Sequence, residues 1–328
     1  MEKTGTILYN STQILDKINA ALAAIPYPDQ PVGLYEPIKY VLSLGGKRLR
    51  PVLLLLAYQL YRDDLDRAMP AALGLETYHN YTLLHDDLMD RADIRRGRPT
   101  VHRVWDENTA ILSGDTMLVL AYRLMQACEN ADVLRLFTKT ALEIGEGQQY
   151  DMNFERRVDV TEPEYIEMIR LKTSVLLACA AKAGAILGGA SDEEASLLYA
   201  YAEQVGLAFQ LQDDWLDVYG DPAVFGKKIG GDILCDKKTY LLINAWMRAD
   251  STQRERLNQW IGHVPEHPEE KVEAVTAIYD ELGISSLCLD AIERYFAKAK
   301  ELLEQLHVPV EQKEELQAYV GSLLNRKS

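Results

Sequence analysis

Asp86-Asp87-Leu88-Met89-Asp90 and Asp213-Asp214-Trp215-Leu216-Asp217 share one form, DDxxD, and each lies inside a long run of helix-forming residues. Largely apolar sequence precedes both, Tyr81 to Leu84 before the first and Leu207 to Leu211 before the second. On a helix the first and last aspartates of each pentad are four apart and share a face. Such a face repels itself unless a cation binds it. One charge run is ordinarily a solvated acidic surface. Two of them in apolar settings predict carboxylate plates facing each other across a cavity, with metal ions between. Few imidazoles or thiolates lie nearby, so the donor set suits Mg²⁺, which prefers oxygen and is usually held by one or two carboxylates plus substrate phosphates. The expected ligand is densely anionic.

Outward from the pentads, helices are predicted over Ser11 to Ala24, Pro37 to Leu44, Pro51 to Tyr61 and from Pro70 into the first pentad. They continue over Thr109 to Glu129, Val133 to Phe154, Glu164 to Leu187 and Asp192 to Tyr219. Gly220 to Lys238 reads as a loop rich in Gly and Lys, with shorter helical pieces beyond it as far as Leu324. No proline falls between Pro99 and Pro163, or between Pro163 and Pro222, which suits long unbroken helices. Strand alternation is nearly absent. The expected fold class is all-α, a single large helical bundle around a central cavity. No linker or composition shift divides the chain, so residues 1–328 are expected to form one domain.

A formal charge of −15 argues against a nucleic-acid partner. It also makes an anionic ligand awkward unless metals or local basic clusters intervene. Two clusters are present. Lys47, Arg48 and Arg50 follow Gly45-Gly46, and Arg95, Arg96 and Arg98 follow the first pentad. Guanidinium groups fork onto phosphate oxygens, while lysine acts as a point charge. His79 lies seven residues before Asp86, on the same helical face, and is a candidate hydrogen-bond donor to phosphate. Lys172-Thr173-Ser174, Gln210, the loop Gly226 to Asp232 and Lys237-Lys238-Thr239 are weaker signals singly. Four widely spaced cysteines without a CxxC pair suggest mostly buried, reduced thiols. No signal peptide is apparent, and no apolar run reads as long and charge-free enough to span a bilayer. The expectation is a cytoplasmic protein, not an integral membrane one.

In chain order, GGKRLRP (Gly45 to Pro51), HDDLMDRADIRRGRPT (His85 to Thr100), GQQYD (Gly147 to Asp151), KTS (Lys172 to Ser174), FQLQDDWLD (Phe209 to Asp217) and GKKIGGD (Gly226 to Asp232) are all present. Together they resemble the trans-type polyprenyl diphosphate synthases, the isoprenoid family that includes farnesyl and geranylgeranyl diphosphate synthases. The resemblance implies the isoprenoid synthase type of fold, a homodimer, and head-to-tail condensation of isopentenyl diphosphate with an allylic diphosphate. By that resemblance Asp86, Asp87 and Asp90 with Asp213, Asp214 and Asp217 would hold three Mg²⁺ on the allylic diphosphate. Lys172, Thr173 and Gln210 would direct dipoles at an allylic cation. Lys227 and Lys237, with Arg95, would bind the departing diphosphate. Lys47, Arg50, His79 and Arg96 would hold isopentenyl diphosphate without metal.

Tyr81 and Tyr78 stand five and eight residues before Asp86, with Thr82 four before it. These positions extend roughly one face away from the pentad towards the helix start. An aromatic floor there would stop the product at fifteen or twenty carbons. The alternative is that both tyrosines merely pack against a neighbouring helix. Two rival functions use the same features differently. A class I terpene cyclase would tend to replace the second DDxxD and would not need Lys47, Arg50 and Arg96. A non-catalytic partner subunit would tend to lose metal ligands, and all six aspartates are here.

Overall fold

The computed structural model describes residues 8–221, 229–263 and 265–324. Helices carry most of it. They run Ser11–Ala23, Val32–Ser43, Leu49–Gln59, Met69–Met89, Glu107–Gln126, Ala131–Glu155, Glu162–Ile169, Val175–Gly188, Asp192–Tyr219, Tyr240–Arg248, Ser251–Trp260, Pro268–Glu281, Ile284–Glu304 and Val310–Leu324. Among the described residues the strands are Ile94–Arg95 and Arg98–Pro99, a two-stranded antiparallel hairpin. The fold class is all-α.

Most helices fall within a few residues of the expected bounds; two depart further. Val32–Ser43 starts earlier than predicted and runs through Pro37, forgoing one backbone hydrogen bond. The helix predicted over Glu164 to Leu187 is really two, joined by a π-helical turn at Arg170–Ser174. The first is opened by a capping box, in which Thr161 and Glu164 exchange side-chain and backbone hydrogen bonds. By length and composition, Glu162–Gly188 could cross a bilayer, contrary to the sequence expectation, but 72% of its most apolar window is buried in the fold. An all-round apolar helix is also what a protein core requires.

The chain divides into two compact units, each assembled from separate stretches. The first gathers the described residues of Met1–Lys139 with Cys179–Leu198 and His307–Gln317. At its centre lies Leu49–Gln59, buried throughout except at half-buried Arg50. Gly184 allows that close packing, since a Cβ there would come within 2.1 Å of the Leu54 carbonyl oxygen. Met69–Met89 packs along Glu107–Gln126, where the His85 ring occupies the space over Gly114. Arg48 enters the core in the left-handed conformation (φ 47°), donating from Nη1 to Glu76 at 2.6 Å and from Nη2 to the Leu42 carbonyl at 2.6 Å. This member of the first basic cluster therefore serves the fold.

The second unit comprises Thr140–Ala178, Tyr199–Leu306 and the described residues of Ala318–Ser328. Leu211, Leu241, Leu257, Ile278, Ile284 and Cys288 lie in its core. Trp215 ties the second pentad to Ile284–Glu304, donating from Nε1 to Ser285 Oγ at 2.9 Å. Cys179 and Cys288 are buried, Cys128 is half-buried and Cys235 is exposed, and none is joined in a disulfide.

Candidate active site

Both acidic pentads end long helices. Asp86 and Asp87 occupy the last turn of Met69–Met89, with Asp90 as its C-cap, and Asp213, Asp214 and Asp217 lie in the last turns of Asp192–Tyr219. A helix C-terminus carries partial negative charge within its last turn, so Asp86, Asp87, Asp90 and Asp217 are disfavoured there by about 0.3–1 kcal/mol each. Neither helix has a basic residue in its last turn to offset this. A chain that accepts the same penalty twice is preparing places for cations.

The three aspartates of the first pentad are not equivalent. Asp87 is only 5% exposed, whereas Asp86 is half-buried and Asp90 exposed. Arg95 donates from Nε to Asp87 Oδ1 and Oδ2 at 2.8 and 2.7 Å, and its Nη2 lies 2.7 Å from Oδ1. The chain reaches that geometry by turning back through the hairpin, with positive φ at Arg91, Arg96 and Gly97. Thr100 secures the return, its hydroxyl donating to the Ala92 carbonyl at 2.7 Å.

Beside this pentad lies a basic cluster. Arg50 Nη1 is 3.1 Å from His79 Nε2. A guanidinium has only donors, so Nε2 accepts and the ring proton belongs on Nδ1. Burial, and then the charges of Arg50, Arg96, Arg95 and Arg48, hold the His79 pKa well below its usual 6.5. His79 is therefore a neutral partner of Arg50 rather than a cation. Arg96 (φ 52°) donates from Nη1 to the Gly45 carbonyl, and its guanidinium covers Gly46, where a Cβ would come within 2.8 Å of Cζ. Glycine at position 46 is required by its φ of 132°, a backbone conformation that L side chains rarely adopt. Lys47 is exposed on the same loop.

Upstream of the pentad, Tyr78 is 3% exposed and packs edge-on against Phe137, with ring centroids 5.2 Å apart. Tyr81 continues the row, 5.5 Å from Tyr78 and 4.9 Å from the His85 ring. Phe137 and Tyr122 (5.0 Å apart) extend it, and nothing in the local sequence announced them. Thr82 turns its hydroxyl back to the His79 carbonyl at 2.8 Å.

In the second unit the same asymmetry returns. Asp214 is 4% exposed, while Asp213 and Asp217 are half-buried. Tyr165 donates its hydroxyl to Asp214 Oδ2, and Gln210 donates from Nε2 to Oδ1 at 3.1 Å. Burial, reinforced by nearby Asp232, pushes the Asp214 carboxyl up to about 7. Gln210 accepts in turn from Thr173 Oγ1 at 3.1 Å, so Thr173, Gln210, Asp214 and Tyr165 form one chain of hydrogen bonds.

Thr173 is placed by the π turn. Two glycines make room for it: a Cβ on Gly147 would come within 2.4 Å of the Lys172 nitrogen, and one on Gly206 within 2.7 Å of Ser174 Cα. Lys172 Nζ donates to Asp151 Oδ2 at 2.6 Å, which joins the GQQYD and KTS motifs. Asp217 Oδ2 accepts from the Asp232 amide at 2.9 Å, and Lys237 Nζ lies 3.8 Å from Asp232 Oδ1. Lys227 lies outside the described residues. Asp151 and Asp232 were visible within motifs but carried no assigned role; Tyr165 carried no signal at all.

Among the described residues, no three His, Cys, Asp or Glu side chains converge as a ready-made metal cage. Mg²⁺ does not ask for one, because it keeps several waters and takes substrate phosphates as ligands. The first and last carboxylates of each pentad are hard oxygen donors of the right kind. Asp87 and Asp214 are held by side chains, and Asp217 also accepts from the Asp232 amide.

Comparison with known proteins follows the same lines. The polyprenyl synthetase family profile matches residues 31–279. The chain is 46% identical over 234 residues to geranylgeranyl diphosphate synthase of Methanosarcina mazei, covering 70% of this chain and 72% of that one. A crystal structure of geranylgeranyl pyrophosphate synthase, 43% identical, matches with a TM-score of 0.92 over 98% of this chain and 100% of that chain. A polyprenyl synthase from Caulobacter crescentus, complexed with calcium and isoprenyl diphosphate, is 28% identical and matches with a TM-score of 0.85 over 97% of this chain and 95% of its own. With a profile match that spans both aspartate pentads and the basic segments around them, the chain belongs to the polyprenyl synthetase family.

Proposed function

We propose that this chain is a Mg²⁺-dependent prenyltransferase that condenses isopentenyl diphosphate with an allylic diphosphate, head to tail and in trans, giving a product of fifteen or twenty carbons. The observation that carries the reading is the pair of acidic helix ends, each costly to the fold without a cation. Divalent metal use is supported by the calcium and isoprenyl diphosphate complex of the Caulobacter relative. When bound, three Mg²⁺ would act as Lewis acids on the allylic diphosphate and offset the charge that grows on the leaving group.

Each of the six aspartates has a part in holding that metal. Asp86, Asp90, Asp213 and Asp217 offer the direct oxygen donors. Asp87 and Asp214 are fixed by Arg95 and by Tyr165 with Gln210, and so set the helix ends in place. Lys47, Arg50 and Arg96 supply positive charge for isopentenyl diphosphate, with neutral His79 orienting Arg50. The carbon–oxygen bond of the allylic substrate breaks with its electron pair leaving on the diphosphate. The double bond of isopentenyl diphosphate attacks the resulting cation, and the condensed product loses a proton. Thr173 and Gln210, with the backbone near Lys172, turn dipoles towards the cation. Lys237 and Lys227, together with Arg95, neutralise the released diphosphate, which is itself the available base for the proton.

Tyr78 and Tyr81 form the floor that ends elongation, a role that their continuous aromatic row supports. Residues 1–328 act as one catalytic domain in the cytoplasm, and the family profile spans segments of both units. A homodimer is favoured by Leu112 and Val119, exposed by 59% and 68% on one helix. The direct test is to incubate the protein with Mg²⁺, labelled isopentenyl diphosphate and allylic diphosphates of five, ten or fifteen carbons, then size the products. Products ending at fifteen or twenty carbons support the whole reading. Longer ones retain the enzyme and remove the floor.

A further inference from the structure

The loop after the second pentad is tied down at two ends, and the family motifs account for only one of them. At its start the Gly230 amide donates to the Asp217 carbonyl at 2.6 Å, and the Asp232 amide donates to Asp217 Oδ2 at 2.9 Å. At its end stands Asp236 with φ 52°, a conformation that residues with a side chain seldom adopt and that Asp and Asn tolerate best. Its Oδ2 accepts from the Gly262 amide at 3.0 Å, and its Oδ1 accepts from Lys271 Nζ at 2.8 Å. Lys271 is only 1% exposed and also donates to the His263 carbonyl at 3.0 Å.

A buried ammonium is rare and persists only when paired. Replacing such a pair by apolar side chains of similar volume is often neutral or stabilising. Stability alone therefore does not explain why this chain combines a left-handed aspartate with a buried lysine. Position does. Lys237 is the next residue along the chain, its amide donates to the Asp232 carbonyl at 3.0 Å, and its Nζ lies 3.8 Å from Asp232 Oδ1. The Asp232 amide in turn donates to Asp217 Oδ2. The Asp236–Lys271 pair thus fixes the far end of a short segment whose near end holds the last aspartate of the second motif.

We propose that Asp236 and Lys271 are positioning residues, a buried latch that holds Lys237 and Asp232 in register with Asp217. The inference rests on the reading of this loop as part of the diphosphate site. It acts through Lys237 and Asp232, and neither latch residue touches substrate.

The test compares the wild-type chain with Lys271→Met, Asp236→Asn and the double variant. Asn keeps tolerance of the left-handed backbone and an oxygen for the Gly262 amide, but removes the charge. Amide exchange across residues 230–238 is measured without ligand, Mg²⁺–pyrophosphate affinity by calorimetry, and KM for each substrate by turnover. The latch predicts faster exchange in this loop and unchanged exchange in Tyr240–Arg248. It also predicts about tenfold weaker pyrophosphate binding, a similar rise in KM for the allylic substrate, and an isopentenyl diphosphate KM that stays put. Variants that melt earlier while loop exchange and pyrophosphate affinity match wild type would make the pair structural only and overturn the proposal. Should Lys271→Met fail to fold, Asp236→Asn carries the same comparison. Variants that show the binding and exchange effects, beside a wild type that binds Mg²⁺–pyrophosphate but forms no product, would count against the proposed activity and leave the latch standing.

Discussion

Arg95 grips both oxygens of Asp87 from a two-strand hairpin, with contacts of 2.7 and 2.8 Å, and Asp87 is 5% exposed. Removing the guanidinium leaves a buried carboxylate without its partner. Arg95→Ala is expected to destabilise the protein by about 1–3 kcal/mol, since the arginine is partly exposed and water can replace some of what is lost. Asp87→Asn on that background should recover much of the loss. Denaturant melts of the two single variants and the double measure the coupling.

Asp90 presents the opposite case. It is exposed, caps a helix C-terminus and faces the unfavourable end of the helix dipole. In metal-free protein at low salt, Asp90→Asn is expected to raise stability by about 0.3–1 kcal/mol. The same substitution should raise the Mg²⁺ concentration needed for half-maximal turnover. A residue that gains stability and loses function on neutralisation is one the fold keeps for its ligand.

Stability near neutral pH should carry the signature of His79. Its folded pKa is depressed by burial and by four arginines, so it stays neutral in the fold while the unfolded chain protonates near pH 6.5. This contribution is present above about pH 6.5 and is lost as pH falls from there towards the lower folded value. Denaturant melts at pH 7.5 and 5.5 should show a larger loss for wild type than for His79→Gln.

The two tyrosines upstream of Asp86 should separate. Tyr78 is a core residue packed on Phe137, and Tyr78→Ala is expected to cost about 3–5 kcal/mol. Tyr81 is half-buried, so Tyr81→Ala should fold and extend the product past twenty carbons. Melting curves and product sizing on the same preparations distinguish floor from scaffold.

Much of this organisation was legible in the chain itself. Helices were announced by apolar periodicity and by the long gaps between prolines, and Asp192–Tyr219 fell where predicted. The pentads were legible as like charges sharing one helix face, but their position at helix ends was not. The π turn at Arg170–Ser174 was not legible either: it packs closely against Gly147 and Gly206, contacts distant in sequence that local periodicity does not reveal. Nor was the division of each pentad into a held middle aspartate and more exposed outer ones. That depends on Tyr165, 49 residues from Asp214, and on a hairpin too short for strand alternation to reveal. The basic cluster was legible as composition, but which arginine turned inwards was not: Arg48 is claimed by Glu76, 28 residues away.

The central claim is that both acidic helix ends work through bound metal in one condensation. Its most direct measurement is product formation from geranyl diphosphate and labelled isopentenyl diphosphate by wild type, Asp86→Asn and Asp213→Asn, each titrated with Mg²⁺ and checked for intact folding. The account predicts Mg²⁺-dependent condensation by wild type, abolished by chelation. Each variant should fall about 100-fold or more in kcat/KM, with partial rescue at high Mg²⁺. Condensation that persists without metal, or a folded Asp213→Asn that matches wild type, would contradict it.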